Sequence, residues 1–140
     1  MNIKYMNKIS IEDYNNLRKS AGWTIIGPSQ AQTGINNSLY IVTAKCLEKS
    51  IGLVRVVGDG GYICMLVDVI VLPEYQGKGI GRKLMEAAMN YIYSSLKEGQ
   101  TVYVNLMSVH GKEPFYEKFG FTKRPIGNLG SGMTQWITKN

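Results

Sequence analysis

Pro73-Glu74-Tyr75-Gln76-Gly77-Lys78-Gly79-Ile80-Gly81-Arg82 separates two different patterns. Ahead of it runs an apolar stretch, Ile63 to Leu72, broken only by Asp68. Behind it Ile80, Leu84, Ala87, Ala88, Tyr91 and Ile92 recur at helical spacing. The segment reads as strand, glycine-rich turn, helix. Gly77, Gly79 and Gly81 let the backbone approach a ligand closely and turn N–H groups inward. The helix start adds unpaired N–H groups and the positive end of its dipole. Those features suit phosphate oxygens.

Two familiar glycine loops fit poorly. A P-loop needs four residues between its first glycine and a Gly-Lys-Ser/Thr triplet; here the spacing is shorter and Arg82 follows Gly81. The dinucleotide fingerprint needs one more residue before its last glycine and opens the first unit of a parallel fold. This loop lies in mid-chain.

Outward from the loop, the elements alternate. Ile3 to Met6 reads as a short strand. Ser10 is an N-cap, with Asp13 three residues on. Tyr14, Leu17 and Ala21 mark the helix that follows, ending at Gly22. Pro28 and Ser29 open a second helix, closed by Asn36-Asn37. Leu39 to Ala44 and Ile51 to Val57 are strands, and Gly58-Asp59-Gly60-Gly61 is the hairpin turn into Tyr62 to Leu72. After the helix Gly79 to Lys97 come a strand, Thr101 to Met107, a short helix, Lys112 to Lys118, and a last strand, Met133 to Thr138. An antiparallel meander thus leads through one crossover helix to a strand expected to lie parallel to its predecessor.

A chain of 140 residues with 44% apolar content supports one domain with one core. No apolar run reaches the roughly 18 residues of a membrane span. The N-terminus carries no signal-peptide pattern, so the expected location is the cytoplasm. Cys46 and Cys64 lack metal or redox spacing and read as reduced thiols. With one histidine, no protein metal site is expected. The net charge of +6 raises the question of nucleic acid, but no Lys/Arg block exceeds two residues. Lys78, Arg82 and Lys83 instead cluster at the glycine loop.

The run Val71-Leu72-Pro73-Glu74-Tyr75-Gln76-Gly77-Lys78-Gly79-Ile80-Gly81 resembles the cofactor loop of the GNAT superfamily of acetyl-CoA-dependent N-acetyltransferases. That family has Gln/Arg-x-x-Gly-x-Gly/Ala after a strand ending Val-x-Pro. Phe115-Tyr116-Glu117-Lys118-Phe119-Gly120-Phe121 is similar to the family's later helix and following strand. The resemblance covers most of the chain and is weakest before residue 50. It implies a small, single-domain member with an α/β fold: a mixed, mostly antiparallel central sheet flanked by about four helices and splayed at the acetyl-CoA site. It implies transfer of an acetyl group from acetyl-CoA to a primary amine in a ternary complex. The alternative is a non-catalytic module that binds an acyl-CoA and regulates a partner. The expected partner is a small-molecule or peptide amine, with no nucleic acid, membrane or metal; a homodimer is compatible with this reading.

The resemblance also assigns residues. The backbone of Val69, Ile70 and Val71 would pair with the pantetheine amides, and Val71 or Ile70 would polarise the acetyl carbonyl. Gln76, Gly77, Lys78, Gly79, Ile80, Gly81 and Arg82 would hold the pyrophosphate, with Phe115 also at the cofactor. Tyr116 would be the general acid that protonates the departing sulfur; the alternative is a packing aromatic beside Phe115 and Phe119. Counting eleven residues back from Gln76 reaches Met65, where histone-type members carry a glutamate base. Seven residues before Tyr116, where many members have asparagine, stands Val109, between Ser108 and His110.

Asp68 is a second catalytic candidate on physical grounds. A carboxylate in a central strand is costly unless paired or used. It is read as a base, as an anchor for an ammonium, or as a structural group bonded to a buried Tyr or Trp. Strict alternation would put Val67, Val69 and Val71 on one face and Asp68, Ile70 and Leu72 on the other. Trp23, Tyr40 and Arg55, with Met133 and Trp136, are candidates to line the acceptor pocket, or else core. An exposed Arg55 would favour an acidic acceptor; Asp68 with Tyr40 would favour a cationic one.

Overall fold

A computed structural model describes residues 1–139. The backbone divides into two compact units, Met1–Leu106 and the residues from Met107 onward. The first holds a five-stranded sheet in sequence order: β1 (Ile3–Met6), β2 (Tyr40–Cys46), β3 (Lys49–Gly58), β4 (Ile63–Val71) and β5 (Tyr103–Leu106). Neighbours β1 to β4 are antiparallel, and β5 is parallel to β4. The crossover is made by α3 (Ile80–Ser95).

Two helices precede β2: α1 (Ile11–Ser20) and α2 (Pro28–Asn36). Ser10 caps α1 by accepting the Asp13 N–H at 3.1 Å. Glu12 and Asp13 in its first turn, and Arg18 and Lys19 in its last, complement the helix dipole. Gly22 then takes φ 77°, a left-handed turn that glycine adopts without strain. Pro28 supplies a preset φ at the start of α2.

α1 and α3 cover opposite faces of the sheet. Ser50 on β3 donates to Asp13 of α1 at 2.7 Å, so Ser50, Leu53 and Arg55 identify the α1 face. A Cβ added at Gly52 would lie 2.9 Å from Leu84 and 3.5 Å from Ile80, which places Gly52 against α3. Ile80, Leu84, Met85, Ala88 and Ile92 form the buried stripe of α3, and Met85 extends the stripe read from periodicity. Leu53, Val54 and Val56 are sealed in the sheet between the two layers.

Three sequence expectations change. First, alternation fails on β4. Val67 pairs with Arg55 and Ile70 with Leu53, so residues three apart on β4 face residues two apart on β3. This is a bulge, and Asp68 occupies it with φ 55°. Val67 therefore shares a face with Ile70, while Val71, opposite Gly52, lies on the other. Second, Met133 to Thr138 is not a strand: it joins no ladder, and Met133, Trp136 and Ile137 are 92%, 93% and 83% exposed. Met133 and Ile137 would lie on one side of such a strand and Trp136 on the other, so neither side is consistently apolar. Third, among the described residues no strand follows Phe121; there the second unit holds α4 (Glu113–Glu117) and one isolated bridge between Ile126 and Leu129.

Candidate active site

The ladder between β4 and β5 runs only from Ile63–Tyr103 to Leu66–Leu106. On its other side β4 stays paired with β3 as far as Val71. Ile70 and Val71 are thus paired with β3 alone, and Val69, beside the bulge, lies beyond the β5 ladder as well. Backbone groups that point away from β3 need other partners; Gln76 takes the Val71 carbonyl, and the rest suit an extended, peptide-like ligand.

The glycine loop begins two residues beyond this edge. A short 3-10 turn, Pro73–Tyr75, redirects the chain. Gln76 donates from Nε2 to the Val71 carbonyl at 2.9 Å and ties the loop back to the strand. Gly77 and Gly79 hold φ 77° and 82°, and no atom outside the local chain lies within 4 Å of where their Cβ would be. They are glycines for conformation and open space together. Gly79 is the N-cap of α3 and offers no side chain to it. The first bond into the helix is Lys83 N–H to the Gly79 carbonyl at 3.1 Å. The N–H groups from Gly77 to Arg82 have no acceptor among the described residues. Lys78, Arg82 and Lys83 are exposed around them. This is a cradle of uncapped donors at the start of a 16-residue helix, suited to a phosphate or pyrophosphate.

Asp68 sits where the open edge begins. It accepts from Tyr14 Oη at 2.6 Å, from Arg55 Nε at 2.8 Å and from Arg18 Nη1 at 3.1 Å. All three charged side chains are nearly enclosed: 8% exposed for Asp68, 12% for Arg18 and 13% for Arg55. The Arg18 guanidinium lies 5.6 Å from the Trp23 ring centre and 5.8 Å from that of Tyr14, and Arg55 lies 5.6 Å from Tyr14. Burial raises the Tyr14 hydroxyl above its ordinary value, and the bond to Asp68 adds to that. The sequence candidates Trp23, Arg55 and Asp68 therefore meet, joined by Tyr14 and Arg18.

Tyr40 does not join them. It pairs opposite Val56 and stacks on Tyr91 of α3, with ring centres 4.5 Å apart, on the far face of the sheet. Neither condition set for the acceptor's charge is met as stated, because the Arg55 side chain is only 13% exposed and Asp68 and Tyr40 are apart. A cavity of about 480 Å³ near the hairpin end of β4 is lined by Tyr62, Cys64, Tyr91 and Lys97, away from the loop. Burial, and then the charge of Asp59, raise the Cys64 thiol, which opposes a nucleophilic role.

In the second unit, α4 carries Phe115 and Tyr116. Phe115 packs edge-on against Tyr116 at 5.1 Å and against Phe119 at 5.4 Å. The Tyr116 ring is buried, and burial raises its hydroxyl above 10.0. Among the described residues Thr43 Oγ1 is the one enclosed side-chain polar atom without a partner. Among the described residues the Tyr116 hydroxyl also has no partner, yet it is not a fully enclosed polar atom as Thr43 Oγ1 is. Val109 is half exposed, and Ser108 Oγ donates to the Val109 carbonyl at 2.7 Å. Met133 and Trp136 are both almost fully exposed and form no part of a core.

Residues 36–123 match the family described as acetyltransferase (GNAT) domain. The chain belongs to the GNAT family. It is therefore an acyltransferase of a family that uses acetyl-CoA as cosubstrate. Among GNAT relatives, an uncharacterized N-acetyltransferase ycf52-like protein of Prochlorococcus marinus is 30% identical over 130 residues, covering 90% of this chain and 68% of its own. A probable acetyltransferase of unknown function from meticillin-resistant Staphylococcus aureus has a solved structure with TM-score 0.86 and 35% identity, covering 97% of this chain and all of its own. A GNAT family protein of Streptococcus pneumoniae gives TM-score 0.74 at 28% identity, covering 99% and 98%. Among the described residues of this GNAT member, no helix is long and apolar enough to cross a membrane, and no group of His, Cys, Asp or Glu is placed to hold a metal ion.

Sequence reasoning found the GNAT loop but missed Tyr14 and Arg18 as neighbours of Asp68. Their four-residue spacing puts them on one face of α1. Nothing local says which strand that face meets.

Proposed function

We propose that this GNAT member is an N-acetyltransferase that moves the acetyl group of acetyl-CoA to a primary amine by direct attack in a ternary complex. The observation that carries the reading is the single-sided edge of β4, Val69 to Val71, ending directly at the uncapped N–H cradle of Gly77 to Arg82. The cosubstrate supplies a thioester. Lys78, Arg82 and the cradle would take its pyrophosphate, and the free edge its pantetheine amides. With the phosphates held beyond the C-terminal end of β4, the arm runs back along the strand. Its thioester then arrives near Asp68 and Val69, where a backbone N–H from Ile70 or Val71 would polarise the carbonyl.

The amine nitrogen forms a bond to the acetyl carbon as the carbon–sulfur bond breaks. Tyr116 gives its proton to the sulfur and regains one from the nitrogen. A hydroxyl on a buried ring that no described residue engages suits that task. Both oxygens of Asp68 already accept from donors. We assign it to holding Tyr14, Arg18 and Arg55 in place beside the acceptor rather than to proton abstraction.

The test is coenzyme A release from acetyl-CoA with a panel of amines, for wild type and Tyr116→Phe. Turnover with one amine class, reduced in the variant, supports the reading. Tight acetyl-CoA binding without turnover on any class would favour the regulatory module instead.

A further inference from the structure

We propose that Arg18 and Arg55 form an anion subsite, so that the acceptor is an amine that also carries a carboxylate or phosphate group. The proposal rests on the acetyl-transfer reading and names its substrate class. Two guanidiniums share one carboxylate: among the described residues the ion pairs of Arg18 and Arg55 go to Asp68 alone. One positive charge is left over inside a nearly enclosed cluster. Leaving such a charge unmatched is expensive unless a ligand supplies the counter-charge.

The donors for that ligand are identifiable. Arg18 uses Nε on the Thr24 carbonyl at 2.8 Å and Nη1 on Asp68. Arg55 uses Nε on Asp68 and Nη1 on Gly34 O at 3.1 Å and Ser38 Oγ at 2.9 Å. Neither Nη2 has an acceptor among the described residues, and neither is an enclosed orphan, so both reach solvent. Asp68 and the Tyr14 and Trp23 rings restrict the forks to fixed orientations. Guanidinium groups held in this way recognise carboxylate and phosphate oxygens with directed hydrogen bonds. The cluster is centred on Asp68, at the end of β4's open edge where the thioester would lie.

Matched pairs of acceptors test this: 3-aminopropyl phosphate against 3-amino-1-propanol, and 4-aminobutyrate against butylamine. Calorimetric binding to wild type and Arg18→Gln is measured first, with or without acetyl-CoA, because it does not require turnover. The anionic member of at least one pair is expected to bind at least tenfold more tightly, and Arg18→Gln to remove most of that margin. Which pair responds separates phosphate from carboxylate. Acetyl-CoA affinity and melting temperature of the variant report whether the fold survives. If Arg18→Gln does not fold, the wild-type pairs decide alone. Equal binding within both pairs, or tighter binding of the neutral members, overturns the subsite. A margin that persists in a folded Arg18→Gln does so too. In turnover assays, faster acetylation of the neutral amines would overturn the subsite while leaving acetyl transfer intact. No acetylation of any amine would sink acetyl transfer, with the binding data still judging the subsite.

Discussion

Tyr116 combines a buried ring with a hydroxyl that nothing in the described chain engages. Burial keeps that hydroxyl protonated beyond 10.0, so it holds a proton throughout the neutral range. If it is the acid, Tyr116→Phe should lower kcat by about 10²-fold or more while positioning sustains residual turnover. The alkaline limb of the wild-type kcat profile should lie above pH 10.0 and vanish in the variant. A pH–rate series on both proteins checks this. The linked effect on stability has a definite sign. A phenol whose folded value is raised contributes fully below its unfolded value and loses that contribution as pH climbs through the folded one. Thr43 makes the opposite case. Its hydroxyl is fully enclosed without a partner on a strand surrounded by core. Thr43→Val keeps the shape and removes the orphan, and should stabilise by about 1 kcal/mol in urea unfolding.

At the level of strands and helices, the two glycines of β3 differ in how the fold uses them. A Cβ at Gly58 would collide with the Ile63 carbonyl and with Cys64 Cα, both rigid backbone. At Gly52 the nearest atom is the movable end of Leu84, although the Ile70 carbonyl lies at 3.2 Å. Gly58→Ala should therefore cost about 2–3 kcal/mol and Gly52→Ala less, as compared by urea midpoints. The same scale shows what could be read without coordinates. Ser10, Pro28 and the glycine loop act through their immediate neighbours, so the starts of α1 and α2 and the turn into α3 were legible. The bulge at Asp68 was not, because it is defined by which residue of β3 stands opposite. Met133 to Thr138 has strand-forming residues, but a strand also needs a partner, and composition cannot supply one.

Over the whole molecule, long-range assembly decides the site. Tyr14 and Arg18 reach Asp68 across 54 and 50 positions of sequence. Spacing rules that operate over one turn carry no information about such meetings. The glycine spacing of the loop could be read; the meeting of two guanidiniums with one carboxylate could not, because it is a tertiary juxtaposition. The loop offers two kinds of positive potential, charged side chains and neutral N–H dipoles. Lys78, Arg82 and Lys83 are exposed and should be screened by salt, whereas the N–H cradle is a fixed, short-range feature. Raising sodium chloride from about 50 to 500 mM should weaken acetyl-CoA binding several-fold without abolishing it, as calorimetry would measure. Abolition would mean that the side chains, not the backbone, hold the phosphates.

The two tryptophans occupy contrasting surroundings: Trp136 is 93% exposed, whereas Trp23 lies half-buried against the Arg18 guanidinium. The chain therefore carries its own optical gauge. Trp136 contributes a steady, water-shifted emission, and Trp23 registers any redistribution of charge around Arg18. With Trp136→Phe, the remaining fluorescence becomes a label-free titration signal for whatever occupies that corner of the protein.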